Sequence, residues 1–481
     1  MKILTRVARF LREQKAEAFL VGGFIRDQLL RRAIGNDLDL AIRGDAIALA
    51  RALADAQGGA FYLMDASRGV ARVLFEDQYV DFADLRGDVR ADLAARDFTI
   101  NAMARRVDQL SSDADQIAAQ LRDARDLIDP FDGASDLRAR KIRAVSADVF
   151  KHDPVRLLRA IRLAGELDFT IESGTETQME HDAGLLAVAV MERARDEWMR
   201  ILNLPSLTSV LHRIDQMKML GALFPEVIAL KGVTQSPPHE FDVFEHTLHV
   251  VSELVSLQAG SYTSVANGEF VWQLNSHFSE KISASQTRGA LLRLSALLHD
   301  VGKPATRTIG DAGQIHFYAH DTRGAEIVET ILRRMKFSNA EIEIVTQTVR
   351  HHLRPLWLSE NAFTNRAAYR FFRAAEGVGI DVCALSLADQ RGKRSVIDPV
   401  ADAEIRATLS QLLDRYYRAQ DAVIAPPQLV NGRELMEELK LAAGPQIGKL
   451  LEVIREAQAA GEVKSRADAL ALARKTLAAL E

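Results

Sequence analysis

The sequence predicts an α+β chain: a small head of mixed sheet and helices, followed by an extended all-helical body. Three observations lead there. Stretches with strand patterning fall only before about residue 100, whereas apolar residues recur at helical spacing almost throughout. At 481 residues the chain exceeds one ordinary core and should divide into three or four domains. Hydrophobic residues make up 48% and charged residues 26%, the balance of a globular chain.

Taken in order, residues 2–16 read as an amphipathic helix. Ala18-Phe19-Leu20-Val21 is a short buried strand ending in Gly22-Gly23, and Phe24–Leu30 is a helix. A glycine pair between strand and helix lets backbone N–H groups approach an anion closely. Arg26, one turn in, adds a charged donor. Residues 35–42, Gly-Asn-Asp-Leu-Asp-Leu-Ala-Ile, read as the next strand. Side chains alternate along a strand, so Leu38, Leu40 and Ile42 enter a core while Asp37 and Asp39 share the other face. Two such carboxylates repel unless a cation lies between them, and hard divalent ions, Mg²⁺ above all, suit the pair. The alternative is two exposed acids on an edge strand.

Residues 45–58 form another helix, and 71–75 with 79–83 read as a hairpin that brings in Asp81 as a third strand carboxylate. Metal ions held by two or three carboxylates beside a phosphate cradle meet the needs of nucleotidyl transfer to a hydroxyl.

Other features exclude classes. The single cysteine, Cys383, rules out a disulfide scaffold and fits a reducing cytoplasm. The start, MKILTRVARFLREQ, is too charged for a signal peptide. No run approaches a membrane-spanning helix. A net charge of −5 means that any nucleic-acid role rests on local basic patches: Arg138, Arg140, Lys141 and Arg143; Arg156, Arg159 and Arg162; Arg333, Arg334 and Lys336.

Val21-Gly22-Gly23-Phe24-Ile25-Arg26-Asp27, then Asp37-Leu38-Asp39, then Arg96-Asp97-Phe98-Thr99-Ile100-Asn101-Ala102-Met103-Ala104 together resemble class II tRNA nucleotidyltransferases. These are the CCA-adding enzymes and their bacterial poly(A) polymerase relatives. The resemblance continues through Leu127–Gly133 with Asp136-Leu137, Asp153–Arg162, and Glu192-Arg193 with Glu197. It implies that Asp37 and Asp39 hold two Mg²⁺ ions, with Asp81 in support. Gly22, Gly23 and Arg26 would contact the triphosphate. Arg96 and Asp97 would sit at the ribose, with Asn101 a further candidate. Asp153 and Arg156 would read the base edge, with Arg159 close by.

Positions 153, 156 and 159 broadly share one helix face. A carboxylate accepts from an exocyclic amino group while a guanidinium donates to ring nitrogen or carbonyl oxygen. One such template selects cytosine and adenine and rejects uracil and guanine. A salt-bridged helix face is the alternative. His152 stands where the family has Glu.

Full CCA-adding members carry a flexible loop between the third-carboxylate strand and the Arg-Asp-Phe-Thr motif, associated with the switch from C to A. Here only residues 82–95 intervene, and members restricted to CC addition lack the loop. The resemblance therefore predicts poor or missing A addition, and leaves CC, A or full CCA addition for experiment. Residues 107–126 are polar and read as a surface insertion, and 146–235 as a helical neck.

Beyond Gly232–Pro238, read as a linker, lie His246, His299-Asp300, His320, His352 and Asp389. Leu297-Leu298-His299-Asp300-Val301-Gly302-Lys303-Pro304 resembles the signature of HD-domain metal phosphohydrolases. Glu245–Leu248, His316–Asp321, Arg350–Arg354 and Ala388-Asp389 match its flanking pieces. The resemblance implies a first metal site of His246, His299, Asp300 and Asp389, and a second from His320 and either His351 or His352. Nitrogen and oxygen ligands favour Mn²⁺, Ni²⁺, Co²⁺, Fe²⁺ or Mg²⁺ over thiolate zinc. The expected chemistry is attack of a metal-bound water on a phosphoester, in a 2′,3′-cyclic phosphate, a 2′-nucleotide or a damaged RNA end.

Residues 257–286 read as a loop or insertion. Within the helical segment 415–481, Val430–Leu435 and Gly444–Leu451 resemble the C-terminal helices of the same transferases, with Gly444-Pro445 opening a helix and Lys449 on its next turn.

The expected organisation is a nucleotidyltransferase head over 1–145, a base-reading neck over 146–235, an HD domain over 236–415 and an RNA-binding tail over 416–481. The expected partners are tRNA, CTP and ATP, with neither DNA nor a membrane. A poly(A) polymerase, or an HD phosphohydrolase with an RNA-binding head, stands as the alternative.

Overall fold

The computed structural model describes residues 2–32, 37–76 and 78–479. It separates into two compact units, Met1–Val190 with Gln216–Ala222, and Met191–Asp215 with Leu223–Glu481. The architecture is the expected α+β one, a sheet-bearing head followed by helices.

The first unit carries a six-stranded sheet, β1 (Ala18–Val21), β2 (Asp37–Ile42), β3 (Ala60–Asp65), β4 (Val70–Phe75), β5 (Gln78–Asp84) and β6 (Ala104–Arg106), besides a short pair, Lys141–Ile142 with Thr170–Ile171. Their order is β3-β4-β5-β2-β1-β6. Within the six-stranded sheet only the β2–β5 pairing is parallel, and the other four are antiparallel. Asp37 and Asp39 thus lie on an interior strand, not an edge strand. Gly35 and Asn36, read as the start of that strand, lie outside the described residues.

Leu38, Leu40 and Ile42 are buried together with Val73, Val80 and Phe82. The helix Ala46–Gln57 covers this face. Asp45 caps its start by accepting from the Ala48 amide at 2.8 Å, and Gly58 ends it in the left-handed conformation at φ 70°.

Three segments differ from expectation. β3 has no counterpart in the sequence reading, because it is an edge strand with mostly exposed residues and no two-residue burial rhythm. Residues 107–126 are not a mere surface insertion. They form the helix Ala114–Arg122, and Val107, Leu110, Ile117 and Leu121 join the head core. Residues 257–286 are likewise largely ordered structure. Val271–Ser279 is a helix that buries Leu274 and Phe278, and Tyr262 stacks on Phe278 at 4.4 Å. In both places a few apolar anchors were hidden among polar neighbours.

The second unit is helical apart from a short hairpin, Arg307–Ile309 with Ile315–Phe317. The helix Val243–Ala259 packs on Arg288–Leu298 and Gly379–Gly392, and Asn339–His351 packs on Arg288–Leu298 and His320–Arg334. The chain ends in three helices around Leu435, Leu450, Ile454 and Ala469, and Gly444 does precede the helix Pro445–Ala459. Among the described residues no helix is long and apolar enough to cross a membrane.

Ile117→Ala separates a core element from a surface insertion. The cavity should cost about 2–5 kcal/mol, read as a lowered urea midpoint of the full chain; an unchanged midpoint would return residues 107–126 to the surface.

Candidate active site and metal centre

In the head, the parallel register places Asp39 directly opposite Asp81 and Asp37 opposite Tyr79. One carboxylate oxygen each from Asp37, Asp39 and Asp81 lie within 4.8 Å of one another. Burial raises the Asp39 carboxyl above its ordinary value; Arg96 opposes this and Asp81 adds to it. Arg72, missed in the sequence, forks onto Asp81 with two hydrogen bonds of 2.7 Å. Arg72 and, at longer range, Arg96 and Arg159 offset part of this charge. An all-oxygen set with surplus negative charge fits hard divalent cations.

Gly22 lies beside this group at φ 80°, a conformation that favours glycine. A Cβ there would stand 2.9 Å from Arg96 Nη1 and 3.0 Å from Asp39 Oδ2. Gly23 has Arg26 Nη2 at 3.3 Å from its own notional Cβ.

The remaining predicted nucleotide residues are linked. Arg26 pairs with Asp27 and donates to Asn101 Oδ1 at 2.8 Å. Asn101 Nδ2 donates to Asp97 Oδ1 at 3.0 Å, and Arg159 Nε lies 3.4 Å from Asp97 Oδ2. Burial opposes the charge on Asp97, but Arg159, Asn101 and the Phe98 amide outweigh it and hold its carboxyl below the usual range. Asp97 is 7% exposed and Asn101 8%. Both are buried and contact neighbouring guanidinium groups, Asn101 that of Arg26 and Asp97 that of Arg159.

Asp153 does not share a continuous helix with Arg156 and Arg159. It is extended, one residue ahead of Pro154, which caps the helix Val155–Leu167. Arg156 Nε is nonetheless 3.7 Å from Asp153, and its other nitrogens donate to the Ala95 and Arg96 carbonyls.

Several expected basic patches are engaged. Arg162 is buried and paired with Glu166, Arg143 with Asp136, Arg333 with Glu329 and Arg334 with Glu226.

In the second unit, helix ends gather the His/Asp set. His246 lies one turn into Val243–Ala259, His299 follows Arg288–Leu298, His320 opens His320–Arg334, His352 follows Asn339–His351, and Asp389 lies in Gly379–Gly392. The ligand atoms form two triads, His246–His299–Asp389 and Asp300–His320–His352, each within 4.8 Å. Asp300 groups with His320 and His352, not with the first site alone as expected. It lies between the triads, 3.2 Å from His299 Nε2 and 3.3 Å from His320 Nε2. The alternative His351 points elsewhere, and its Nδ1 accepts from Arg354.

Each of the four imidazoles sets its Nδ1 against a backbone carbonyl: His246 on Gly392, His299 on Ala296, His320 on Phe317 and His352 on Val349, at 2.6–3.1 Å. A carbonyl only accepts, so each Nδ1 carries a proton, and in the neutral ring the Nε2 lone pair faces inward. At His299 burial opposes the charge, but the neighbouring Asp300 outweighs it and raises the imidazole above its ordinary value. Those four Nε2 atoms are buried without a well-aligned hydrogen-bond partner. Burial, then His299 and His320, push His352 down to about 4, so it stays neutral, the ligating form. The set fits divalent metal.

Two residues here escaped the sequence reading. Lys303, three residues after Asp300 in the quoted motif, is buried with its Nζ 2.6 Å from Asp300 Oδ2. His239 packs edge-on against His246 at 5.1 Å, with no motif to mark it.

A nucleotidyltransferase head joined to a His/Asp metal centre is the class these features describe, and comparison with known proteins agrees. A Poly A polymerase head domain model matches residues 18–91, and an HD domain model matches 243–391. An A-adding tRNA nucleotidyltransferase of Deinococcus radiodurans is 32% identical over 465 residues, 95% of each chain. A CC-adding tRNA nucleotidyltransferase of Geobacter sulfurreducens is 31% identical, covering 96% of this chain and 93% of its own. A solved complex of a CCA-adding enzyme with CTP shares the fold at TM-score 0.64 and 21% identity, over 100% of this chain and 95% of that one. The chain belongs to the class II tRNA nucleotidyltransferase family and carries an HD domain.

Gly22→Ala should lower kcat/KM for nucleotide incorporation about 100-fold, because the new methyl displaces Arg96 or Asp39, with a modest fall in the thermal midpoint from the strain at positive φ. Wild-type kinetics would show that the close approach at Gly22 is not needed.

Proposed function

We propose that this chain adds CMP, AMP or both from CTP and ATP to the 3′ end of tRNA. The observation that carries the reading is the register that sets Asp39 opposite Asp81 with Asp37 alongside. In the reaction the terminal 3′-hydroxyl loses its proton and its oxygen bonds the α-phosphorus. The bond from that phosphorus to its bridging oxygen breaks, and pyrophosphate leaves. Asp37, Asp39 and Asp81 would hold two Mg²⁺ ions, whose chemistry is to stabilise charge on the phosphate and acidify the hydroxyl. Gly22, Gly23 and Arg26 face the triphosphate and Arg96 the ribose. Asp153, Arg156 and Arg159 read the base. We read the functional parts as 1–145, 146–235, 236–415 and 416–481.

For nucleotide choice we favour C without A. Only residues 85–88 link β5 to the helix Val89–Ala94, too few for a mobile switching loop. The two relatives above divide between A and C addition at nearly equal identity, so likeness does not choose. End-labelled tRNA, truncated before its terminal CCA or after CC, is to be extended with CTP, ATP or both and resolved to one nucleotide. We expect CC to be added and the CC-ended tRNA to stay unextended. Completion to CCA by the purified chain would overturn C-only addition, and long tails on unstructured RNA would favour a poly(A) polymerase.

For the HD centre we propose a bound divalent metal, Mn²⁺, Ni²⁺, Co²⁺, Fe²⁺ or Mg²⁺, and hydrolysis of a phosphoester at an RNA or nucleotide end. What supports this is the four inward Nε2 atoms around Asp300. Asp300→Ala should lose bound metal and metal-dependent hydrolysis of 2′,3′-cyclic phosphates and 2′-nucleotides while incorporating nucleotide normally. A wild-type chain that binds metal yet hydrolyses none of these would reduce the centre to a structural one.

A further inference from the structure

The carboxylate-bearing face of the head sheet continues beyond the site. Residues directly opposite in paired strands share a face. One row crosses four strands as Asp39, Asp81, Arg72 and Tyr62, and a second as Asp37, Tyr79, Leu74 and Ala60. Strands are spaced about 4.8 Å apart, so Tyr62 stands about 10 Å from Asp81 and about 15 Å from Asp39. Arg72 lies over the Tyr79 ring at 4.0 Å, which holds that ring in place. On the edge strand β3 Tyr62 is 51% exposed and Met64, at an irregularity in the pairing, 54%, and Leu74 on the adjoining β4 is 36% exposed. Large exposed apolar side chains at the open edge of a sheet and on the strand beside it mark a contact surface.

Direction narrows the occupant. The residues assigned to the triphosphate, Gly22, Gly23 and Arg26, follow β1, which flanks β2 on the side away from β5. In-line transfer sets the leaving pyrophosphate and the attacking hydroxyl on opposite sides of the α-phosphorus. The hydroxyl therefore arrives from the β5 side, across Tyr79, Leu74 and Tyr62.

We propose that this edge platform seats the single-stranded 3′-terminal nucleotides of the acceptor RNA, with a base stacked on Tyr62. Proteins hold single-stranded RNA on exposed aromatic rings, including rings on open sheet faces, because every base offers a π-face. The proposal rests on the transferase reading of Asp37, Asp39 and Asp81.

The test compares binding of the full chain to an RNA hairpin with a short single-stranded 3′ overhang and to the same hairpin blunt-ended, by fluorescence anisotropy. Wild type should prefer the overhang. Tyr62→Ala should weaken overhang binding about tenfold, leave blunt binding unchanged, and raise KM for RNA but not for CTP. Tyr62→Phe should behave as wild type. Equal affinities of wild type and Tyr62→Ala for the overhang would overturn the proposal, as would no overhang preference in wild type. So would equal loss on both hairpins. A change in sedimentation without a change in overhang binding would make the face a contact between copies and also overturn it. Binding is read without turnover, so loss of incorporation in Asp39→Ala tests the transferase reading separately.

Discussion

The parallel pairing of β2 with β5 is the constraint on which the head depends. A strand has two faces, and a slip of one residue would turn every side chain over. The apolar row Leu38, Val80, Val73 and Phe61 prevents that slip, because it must face the helix Ala46–Gln57. Carboxylates about 4.8 Å apart repel by about 3–4 kcal/mol at an effective dielectric near 20. Burying each large apolar side chain contributes about 1.5–3 kcal/mol. Burial on one face is of the same order as the repulsion on the other, and with the guanidinium groups of Arg72 and Arg96 it holds a charged cluster that would otherwise spread.

The His/Asp centre solves the same problem by a different route. Three of its four imidazoles follow one local rule. His299, His320 and His352 each donate from Nδ1 to the carbonyl three residues earlier. Chain entering or leaving a helix offers carbonyls without an intrahelical partner, so a histidine there is oriented by its own segment. Packing then only has to bring three such ends together with His246. Gly302 allows the closest approach, since a Cβ there would lie 2.2 Å from the His320 carbonyl and 2.6 Å from the Gly324 amide. The glycine between His299-Asp300 and Lys303 lets two helix ends touch.

These mechanisms explain what was legible in the sequence. Asp37, Asp39 and Asp81 could be read because strand alternation is local, and the His/Asp set because its residues lie in short runs at helix ends. Arg72 could not be read, since its partner Asp81 is fixed by pairing across β4 and β5. Lys303 was printed in the motif, but its burial against Asp300 depends on the helix that His320 opens. β3 and the helices Ala114–Arg122 and Val271–Ser279 were illegible for another reason. A segment that buries only two to four residues leaves little periodic signal, and its structure is decided by the surface it lands on.

The polar chain that joins the proposed nucleotide residues adds a link that spacing alone does not reveal. Asp27, Arg26, Asn101, Asp97 and Arg159 form one sequence of hydrogen bonds and ion pairs, from the glycine turn to the helix Val155–Leu167. Inside a protein such contacts polarise one another, and breaking one leaves a buried group unsatisfied. In the proposed reading Arg26 meets the phosphate end of the nucleotide and Arg159 its base. A nucleotide then touches both ends of one rigid chain, so a base that displaces Arg159 also disturbs the groups that hold its phosphates. On that reading selection and chemistry would be coupled through Asp97 and Asn101, the two buried members of the chain.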